Sequence, residues 1–138
     1  MRCDATNLPR RRGIKLKILV IDDSDGLQRL AEIARAVVLL TSPWSCYERQ
    51  ARATIQSAAT KLAALSPEIG VEFRSVDEEA EYCQSWLRTL GVPIVDNGPI
   101  GAGTVLWMEF GKVVASEING STLRVVDVLK RCRAHWAG

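Results

Sequence analysis

Residues 36–48, AVVLLTSPWSCYE, decide the fold of this chain. Ala36–Thr41 is a short, uninterrupted apolar run, which is typical of a β-strand buried on both faces. The run leads through Trp44 into a helix that we expect from about Ser45 to Leu65, because apolar residues recur there at helical spacing. Pro67 lies just beyond and is a helix stop signal. A buried strand that passes into a long amphipathic helix favours an α/β domain.

Further strands and helices are predicted on both sides of this unit. Upstream, Ile14–Ile21 predicts a strand that begins at a sheet edge and ends buried, and the acidic run Asp22–Asp25 caps a helix that continues to Ala34. Downstream, the sequence predicts a strand, a helix, a loop, a hairpin and a closing helix, at 71–76, 80–90, 93–103, 104–110 with 112–118, and 125–136. The predicted order is therefore β-α-β-α-β-α-β-β-α.

The composition is that of one ordinary globular domain. The chain has 138 residues, of which 47% are hydrophobic and 25% charged, so it can bury a substantial core. Its net charge of +2 gives no reason to expect a nucleic-acid or membrane partner.

We expect residues 1–12 to form a flexible basic leader and residues 13–138 the folded domain. Because no stretch approaches the ~18 apolar residues of a membrane span and no signal-peptide core is visible, a cytoplasmic location is expected.

The four cysteines, Cys3, Cys46, Cys83 and Cys132, are far apart in the sequence. They form neither a C-x-x-C pair nor a spacing typical of metal ligands, so we expect no metal and no cofactor. In a reducing compartment they are most simply free thiols. Cys83 and Cys132 fall on the apolar faces of predicted helices and are expected in the core.

Two stretches resemble the thioredoxin-like superfamily. VVLLTSPW (37–44), followed by a long helix, is similar to the thioredoxin strand that runs into W-C-G-P-C. GTVLWMEFGKVVASEING (103–120) is similar to the segment in which Pro-Thr precedes an apolar strand, a turn glycine and a second strand. With the predicted element order, the resemblance covers nearly all of the chain after residue 14. It implies a thioredoxin fold with a central mixed sheet flanked by helices, but it does not imply an activity.

The resemblance places different residues at each functional position of the family. Without gaps, the nucleophilic cysteine falls on Ser45, the resolving cysteine on Glu48, the buried proton-transferring aspartate on Leu39 and the cis-proline on Gly103. Disulfide exchange requires a thiolate that attacks and a second thiol that resolves the mixed disulfide, and neither is present at its place. The resemblance therefore implies a divergent member without the C-x-x-C redox centre.

The replacement of the cysteine pair has a structural interpretation. Ser45–Glu48 reads S-x-x-E, which is a helix capping box. We expect the Ser45 hydroxyl to accept from the Glu48 backbone N–H, and the Glu48 carboxylate to reach back to the Ser45 N–H. A helix cap is favoured over any catalytic use of these two side chains, since a serine hydroxyl without a neighbouring base lacks the acidity of a thiol.

Cys46 leaves a chemical alternative open. At the first helical position it would be exposed, and the backbone amides there favour a thiolate, although the nearby Glu48 opposes it. It is then either a monothiol oxidoreductase or redox-sensor residue, or an exposed cysteine without a role. A one-residue shift of the alignment would give C-x-x-R through Arg49, but it would drive Arg52 into the buried face of the helix, so we disfavour it.

The sequence favours a redox-inactive domain that binds a protein or peptide at the former active-site rim. The residues expected to bind are Trp44, Tyr47 and the loop 92–103, in which Pro93 or Pro99 is the cis-proline if Gly103 is not. A glycine at 103 would leave the backbone free to adopt a conformation that proline forbids. Enzyme activity is left open, as disulfide oxidoreduction through Cys46.

Overall fold

The computed structural model describes residues 18–42, 44–90 and 101–136. Within these ranges the chain forms five strands and four α-helices, joined in part by short 3₁₀ helices at Arg29–Glu32, Pro67–Ile69 and Gly120–Thr122. In chain order the main elements are β1 (Leu19–Ile21), α1 (Ser24–Gln28), β2 (Ala36–Thr41), α2 (Cys46–Leu65), β3 (Glu72–Asp77), α3 (Glu81–Leu90), β4 (Val105–Glu109), β5 (Lys112–Glu117) and α4 (Val125–Trp136). The order β-α-β-α-β-α-β-β-α is confirmed.

The strands form one mixed sheet in the order β1-β3-β2-β4-β5. β3 is parallel to β1 and β2, whereas β4 is antiparallel to both β2 and β5. β2 is therefore central, and residues 36–40 are all buried, as the apolar run predicted. Leu39 pairs with Ser75 on one side and with Val105 on the other. The ends of β2 and β3 and the start of β4 consequently meet at one edge of the sheet.

Helices cover both faces of this sheet. Successive residues of β2 point to opposite faces, so Val37 and Leu39 belong to one core and Val38 and Leu40 to the other. The first core lies under α2 and α4 and the second under α1 and α3. The helices bury most of the apolar residues that recur at helical spacing in the sequence, including Ile55, Leu62, Leu129, Cys132 and Trp136 on the first side and Leu27, Cys83 and Leu87 on the second. Leu65, Ala31 and Ala34 follow the same spacing but are exposed, because Leu65 is the last residue of α2 and the other two lie beyond the end of α1.

The first strand differs from its prediction. The sequence predicted that the apolar end of Ile14–Ile21 would be buried, but of its described residues, 18–21, Leu19 and Val20 are exposed and Ile21 alone is buried. The reason is that β1 is one of the two edge strands of the sheet and pairs with β3 alone. An apolar run can therefore indicate a strand without indicating its place in the sheet.

The first helix is shorter than predicted. α1 ends at Gln28 and continues as the 3₁₀ helix Arg29–Glu32, whereas the sequence predicted a helix to Ala34. Among residues 24–34, Leu27 and Leu30 alone are buried, so little more than one turn of this segment packs against the core. The predicted acidic cap is confirmed, because an Asp23 carboxylate oxygen accepts the Gly26 N–H at 2.7 Å.

Some predictions concern residues outside the described ranges. The basic leader 1–12, Cys3, Pro93, Pro99 and most of the loop 92–103 are among them. Across residues 18–42, 44–90 and 101–136, no helix has the length and apolar character to cross a membrane.

Candidate functional site

Ser45 caps the long helix α2, which begins shortly after the end of β2. Its backbone is extended, with φ of −96° and ψ of 128°, and its hydroxyl oxygen accepts the Glu48 N–H at 3.3 Å. The same hydroxyl donates to the carbonyl of Gly101, and the Ser45 N–H donates to the Ser42 carbonyl at 2.9 Å. The N–H and the hydroxyl of this buried residue are thus both committed to hydrogen bonds within the protein.

Glu48 does not close the capping box as predicted. The Ser45 N–H is already bonded to Ser42, and the Glu48 carboxylate pairs instead with the guanidinium of Arg52 one helical turn later, with Nε 3.1 Å from Oε1. The Glu48 side chain is 0% exposed, and its other oxygen, Oε2, has no hydrogen-bond partner among the described residues. Of the two hydrogen bonds of a capping box, only the one to the Ser45 hydroxyl is therefore formed. The guanidinium of the half-exposed Arg52 neutralises the charge of the buried Glu48 carboxylate.

Gly103 lies directly over the first turns of α2. A β-carbon placed on it would come within 2.6 Å of Ala51 Cβ and 3.3 Å of Glu48 Cα. Its φ is +73°, which proline cannot adopt, and the described residues contain no cis peptide bond. The structure thus brings the residue aligned with the cis-proline next to Glu48, in a conformation that favours glycine. Leu39, aligned with the buried aspartate, is a core residue.

A cleft of about 430 Å³ opens beside the helix cap. Two aromatic side chains line it and are largely exposed, Trp44 at 63% and Tyr47 at 61%. The other lining residues are small or polar: Ser45, Gly101, Ala102, Asn119, Ser121 and Thr122. The cleft therefore combines aromatic area with polar groups at its rim, which is the usual character of a binding site.

Trp44 is held in place although it is exposed. Its indole Nε1–H donates to a carboxylate oxygen of Glu79, which follows β3. The ring also lies on Gly101, since a β-carbon there would be 2.6 Å from Cη2 of Trp44. An aromatic side chain that is fixed before binding loses little conformational entropy when a partner arrives.

Glu78 belongs to the candidate site, although the sequence did not predict it. Its carboxylate is buried just behind the cleft, where Oε2 accepts the Ser42 hydroxyl at 2.7 Å and the Gly101 N–H at 3.1 Å. Burial raises the pKa of Glu78 above its ordinary value, and the two hydrogen bonds only partly offset this. In the sequence it stands among several acids that follow β3, so nothing distinguishes it from a solvated turn residue.

A solved structure supports this fold assignment. Thioredoxin O2 from Arabidopsis thaliana in its oxidized state superimposes with a TM-score of 0.55, at 17% identity, over 86% of this chain and 92% of that chain. The chain has the thioredoxin fold. No protein-family model and no curated protein matches the sequence.

The cysteines of this thioredoxin fold differ sharply in environment. Cys46 is exposed on the first turn of α2 but does not line the cleft. Cys83 and Cys132 are buried, and desolvation raises the pKa of Cys83 to about 12 and that of Cys132 to about 11. Both buried thiols are therefore inert core groups.

The thioredoxin fold brings only part of the predicted site together. Trp44, Ser45 and Tyr47 line the cleft, and Gly103 and Glu48 pack against each other. Pro93 and Pro99 lie outside the described residues. In the described ranges, no three His, Cys, Asp or Glu side chains are grouped so that they could hold a metal ion.

Proposed function

We propose that this thioredoxin-fold domain binds another protein or a peptide in the cleft beside the α2 cap, without C-x-x-C redox chemistry. The observation that carries the proposal is the pair Trp44 and Tyr47, both more than half exposed in one cleft. Exposed aromatic groups leave apolar area in contact with water, and their burial against a partner is favourable. Trp and Tyr are also the residues that most often dominate the binding energy of interfaces.

The bonding of Ser45 supports a binding role over a hydrolytic one. A serine nucleophile needs a base that accepts its proton, but this hydroxyl donates to the Gly101 carbonyl instead. His135, the single histidine of the chain, lies in the last turn of α4 and does not line the cleft. The Ser45 side chain, at the position aligned with the nucleophilic cysteine of thioredoxins, therefore supports a structural role.

Selection from a random peptide library, followed by fluorescence polarisation with a labelled selected peptide, tests the proposal. We expect Trp44→Ala to weaken peptide binding by about tenfold or more, because central Trp residues of interfaces commonly contribute that much. Tyr47→Ala should weaken it as well. Both side chains are exposed, so circular dichroism should show unchanged folding.

Phe110→Ala is the matched control. Phe110 is aromatic and 62% exposed, but it follows β4 at the end of the sheet opposite the cleft, where Met108 pairs with Ala36. Its removal should leave peptide affinity unchanged. If the three variants bind the selected peptide as the wild type does, or lose affinity equally, the cleft is not the binding site.

We propose as a second candidate a monothiol function of Cys46. The specific observation is that Cys46 is an exposed thiol on the first turn of a 20-residue helix, whose amide groups favour an anion. Such a thiolate could attack a disulfide of a partner, which forms a mixed disulfide with Cys46 and releases the partner's other sulfur as a thiol. A second thiol would then attack the mixed disulfide and release Cys46 as a thiol.

Alkylation by iodoacetamide near neutral pH separates the two candidates. An ordinary cysteine is only about 1% ionised two pH units below its pKa of about 8.5, so fast alkylation of Cys46 at pH 6.5 would indicate a stabilised thiolate. A Cys3→Ser variant should be used to isolate the Cys46 signal. Slow alkylation at pH 6.5, together with no insulin reduction, would remove the monothiol candidate.

A further inference from the structure

Glu78 is fixed on the sheet edge behind the cleft. It directly follows β3, its N–H donates to the Thr41 carbonyl at 3.1 Å, and its carbonyl accepts from the side-chain amide of Gln84. The residue is only 3% exposed. Its backbone therefore has little freedom, and the position of its carboxylate is set by β2 and α3.

One oxygen of this carboxylate is joined to the cleft wall. Oε2 accepts both the Ser42 hydroxyl and the Gly101 N–H. On its other side, the Gly101 carbonyl accepts the hydroxyl of Ser45, and the ring of Trp44 lies on the glycine. Gly101, which lines the cleft, is thus bonded to the end of β3 through Glu78 and to the start of α2 through Ser45.

We propose that Glu78 is a proton-sensitive positioning residue: its carboxylate holds Gly101 in the cleft wall, and uptake of one proton from water weakens that hold. Hydrogen bonds to an ionised acceptor are roughly twice as strong as those to a neutral one, so protonation weakens both bonds to Oε2, and the bond from the Gly101 N–H is the one that reaches the cleft wall. The consequence for a partner in the cleft rests on the proposed function.

The charged and titratable groups around Glu78 set the pH at which this occurs. Desolvation is the main cause that raises the pKa of Glu78, and the negative charges of Asp77 and Glu79 raise it further. From α3, the thiol of Cys83 faces Glu78, but it stays neutral because its own pKa is raised to about 12. Glu78 should therefore take up its proton at a higher pH than an exposed glutamate.

Backbone amide NMR tests the proposal without any partner. In the wild type, we expect the amide proton of Gly101 to shift with pH in one transition whose midpoint lies above the usual glutamate range. In Glu78→Gln, which is neutral and nearly isosteric, the transition should be lost. The Gly101 resonance should then lie near the acid-limit position of the wild type at every pH. A Gly101 resonance that does not titrate, or that titrates equally in Glu78→Gln, would overturn the proposal.

Two further variants sharpen the test. Glu81→Gln removes an exposed acid three residues away and should leave the Gly101 transition unchanged. Ser42→Ala removes the hydroxyl that stabilises the carboxylate, so it should raise the midpoint of the transition. The Ser42→Ala result is decisive even if Glu78→Gln does not fold, because an unchanged midpoint would show that Glu78 does not set the Gly101 signal.

The outcome is separable from that of the proposed function. If Gly101 titrates through Glu78 but no selected peptide binds the cleft, the positioning role stands and the binding proposal fails. If peptides bind through Trp44 while Gly101 is insensitive to Glu78, the binding proposal stands and the positioning role fails.

Discussion

Gly103 is constrained at the residue scale by two independent features. Its φ of +73° lies in the left-handed region, where a side chain costs about 1–2 kcal/mol. In addition, α2 leaves no room for a β-carbon, which would meet Ala51 Cβ at 2.6 Å. Backbone strain and steric overlap should therefore both contribute when this glycine is replaced.

Comparison of Gly103→Ala with Gly70→Ala should separate these two contributions. Gly70 has a similar φ of +65°, but no atom lies within 4 Å of its would-be β-carbon. We expect Gly70→Ala to lower the free energy of unfolding by about 1–2 kcal/mol through strain alone. Gly103→Ala should lose about 1–3 kcal/mol more through overpacking. Urea denaturation measures both, and equal losses would contradict the packing described for Gly103.

At the scale of elements, the start of α2 depends on a side chain with two tasks. Ser45 caps the helix by accepting the Glu48 N–H, and its hydroxyl also donates to the carbonyl of Gly101 in the cleft wall. By contrast, the Asp23 cap of α1 serves a helix of five residues, of which Leu27 is buried. Both residues are typical N-cap residues, but Asp23 bonds only within its own helix, whereas Ser45 also joins α2 to Gly101.

Ser45→Ala should therefore be more damaging than Asp23→Ala. Loss of a cap alone costs about 1 kcal/mol, which is the expectation for Asp23→Ala. Ser45→Ala additionally leaves the Gly101 carbonyl without its donor, for which about 1–3 kcal/mol is expected. Chemical denaturation of both variants provides the measurement. A loss for Ser45→Ala that does not exceed the loss for Asp23→Ala would mean that the bond to Gly101 contributes nothing to stability.

At the scale of the whole molecule, the buried Glu78 links folding to pH. Its native pKa is raised above its ordinary value of 4.5, so the native state binds this proton more tightly than the unfolded chain does. The resulting stabilisation is complete below the unfolded pKa and is lost as the pH rises through the native pKa. Ionised Glu78 therefore makes the fold less stable even as it strengthens the bond to Gly101.

The pH dependence of Glu78→Gln relative to the wild type follows from this sign. The free energy of unfolding of the variant minus that of the wild type should increase as the pH rises from the ordinary glutamate pKa of 4.5 through the raised native pKa. Other carboxylates, such as Asp127, whose pKa is lowered by its hydrogen bonds from Arg124, are present in both proteins and cancel in the difference. Denaturation at several pH values tests this, and a constant or decreasing difference would contradict it.

The sequence predicted most of the architecture because its strongest patterns are local. The apolar run of β2, the helical spacing in α2 and the glycine turn between β4 and β5 fix their elements without knowledge of their neighbours. The position of β1 at the sheet edge depends on which strand pairs with it, and this information is not local.

The candidate site was predicted less completely for the same reason. Trp44, Ser45 and Tyr47 adjoin a recognisable helix start, so the resemblance could point to them. Glu78 acquires its role only through Ser42 and Gly101, which are distant in sequence. The pairing of Glu48 with Arg52 was missed because the Ser42 carbonyl already occupies the N–H that a capping box would use.

The conformation of Gly103 also limits how this chain could become a dithiol enzyme. The double substitution Ser45→Cys and Glu48→Cys would create a C-x-x-C motif. The φ of Gly103 would still be +73°, whereas a proline at this position requires a φ of about −65°. Its carbonyl is also packed so closely that a β-carbon on Gly120 would lie 1.8 Å from it. Dithiol chemistry at this site would therefore require a new backbone path beside α2, which side-chain exchanges at positions 45 and 48 do not provide.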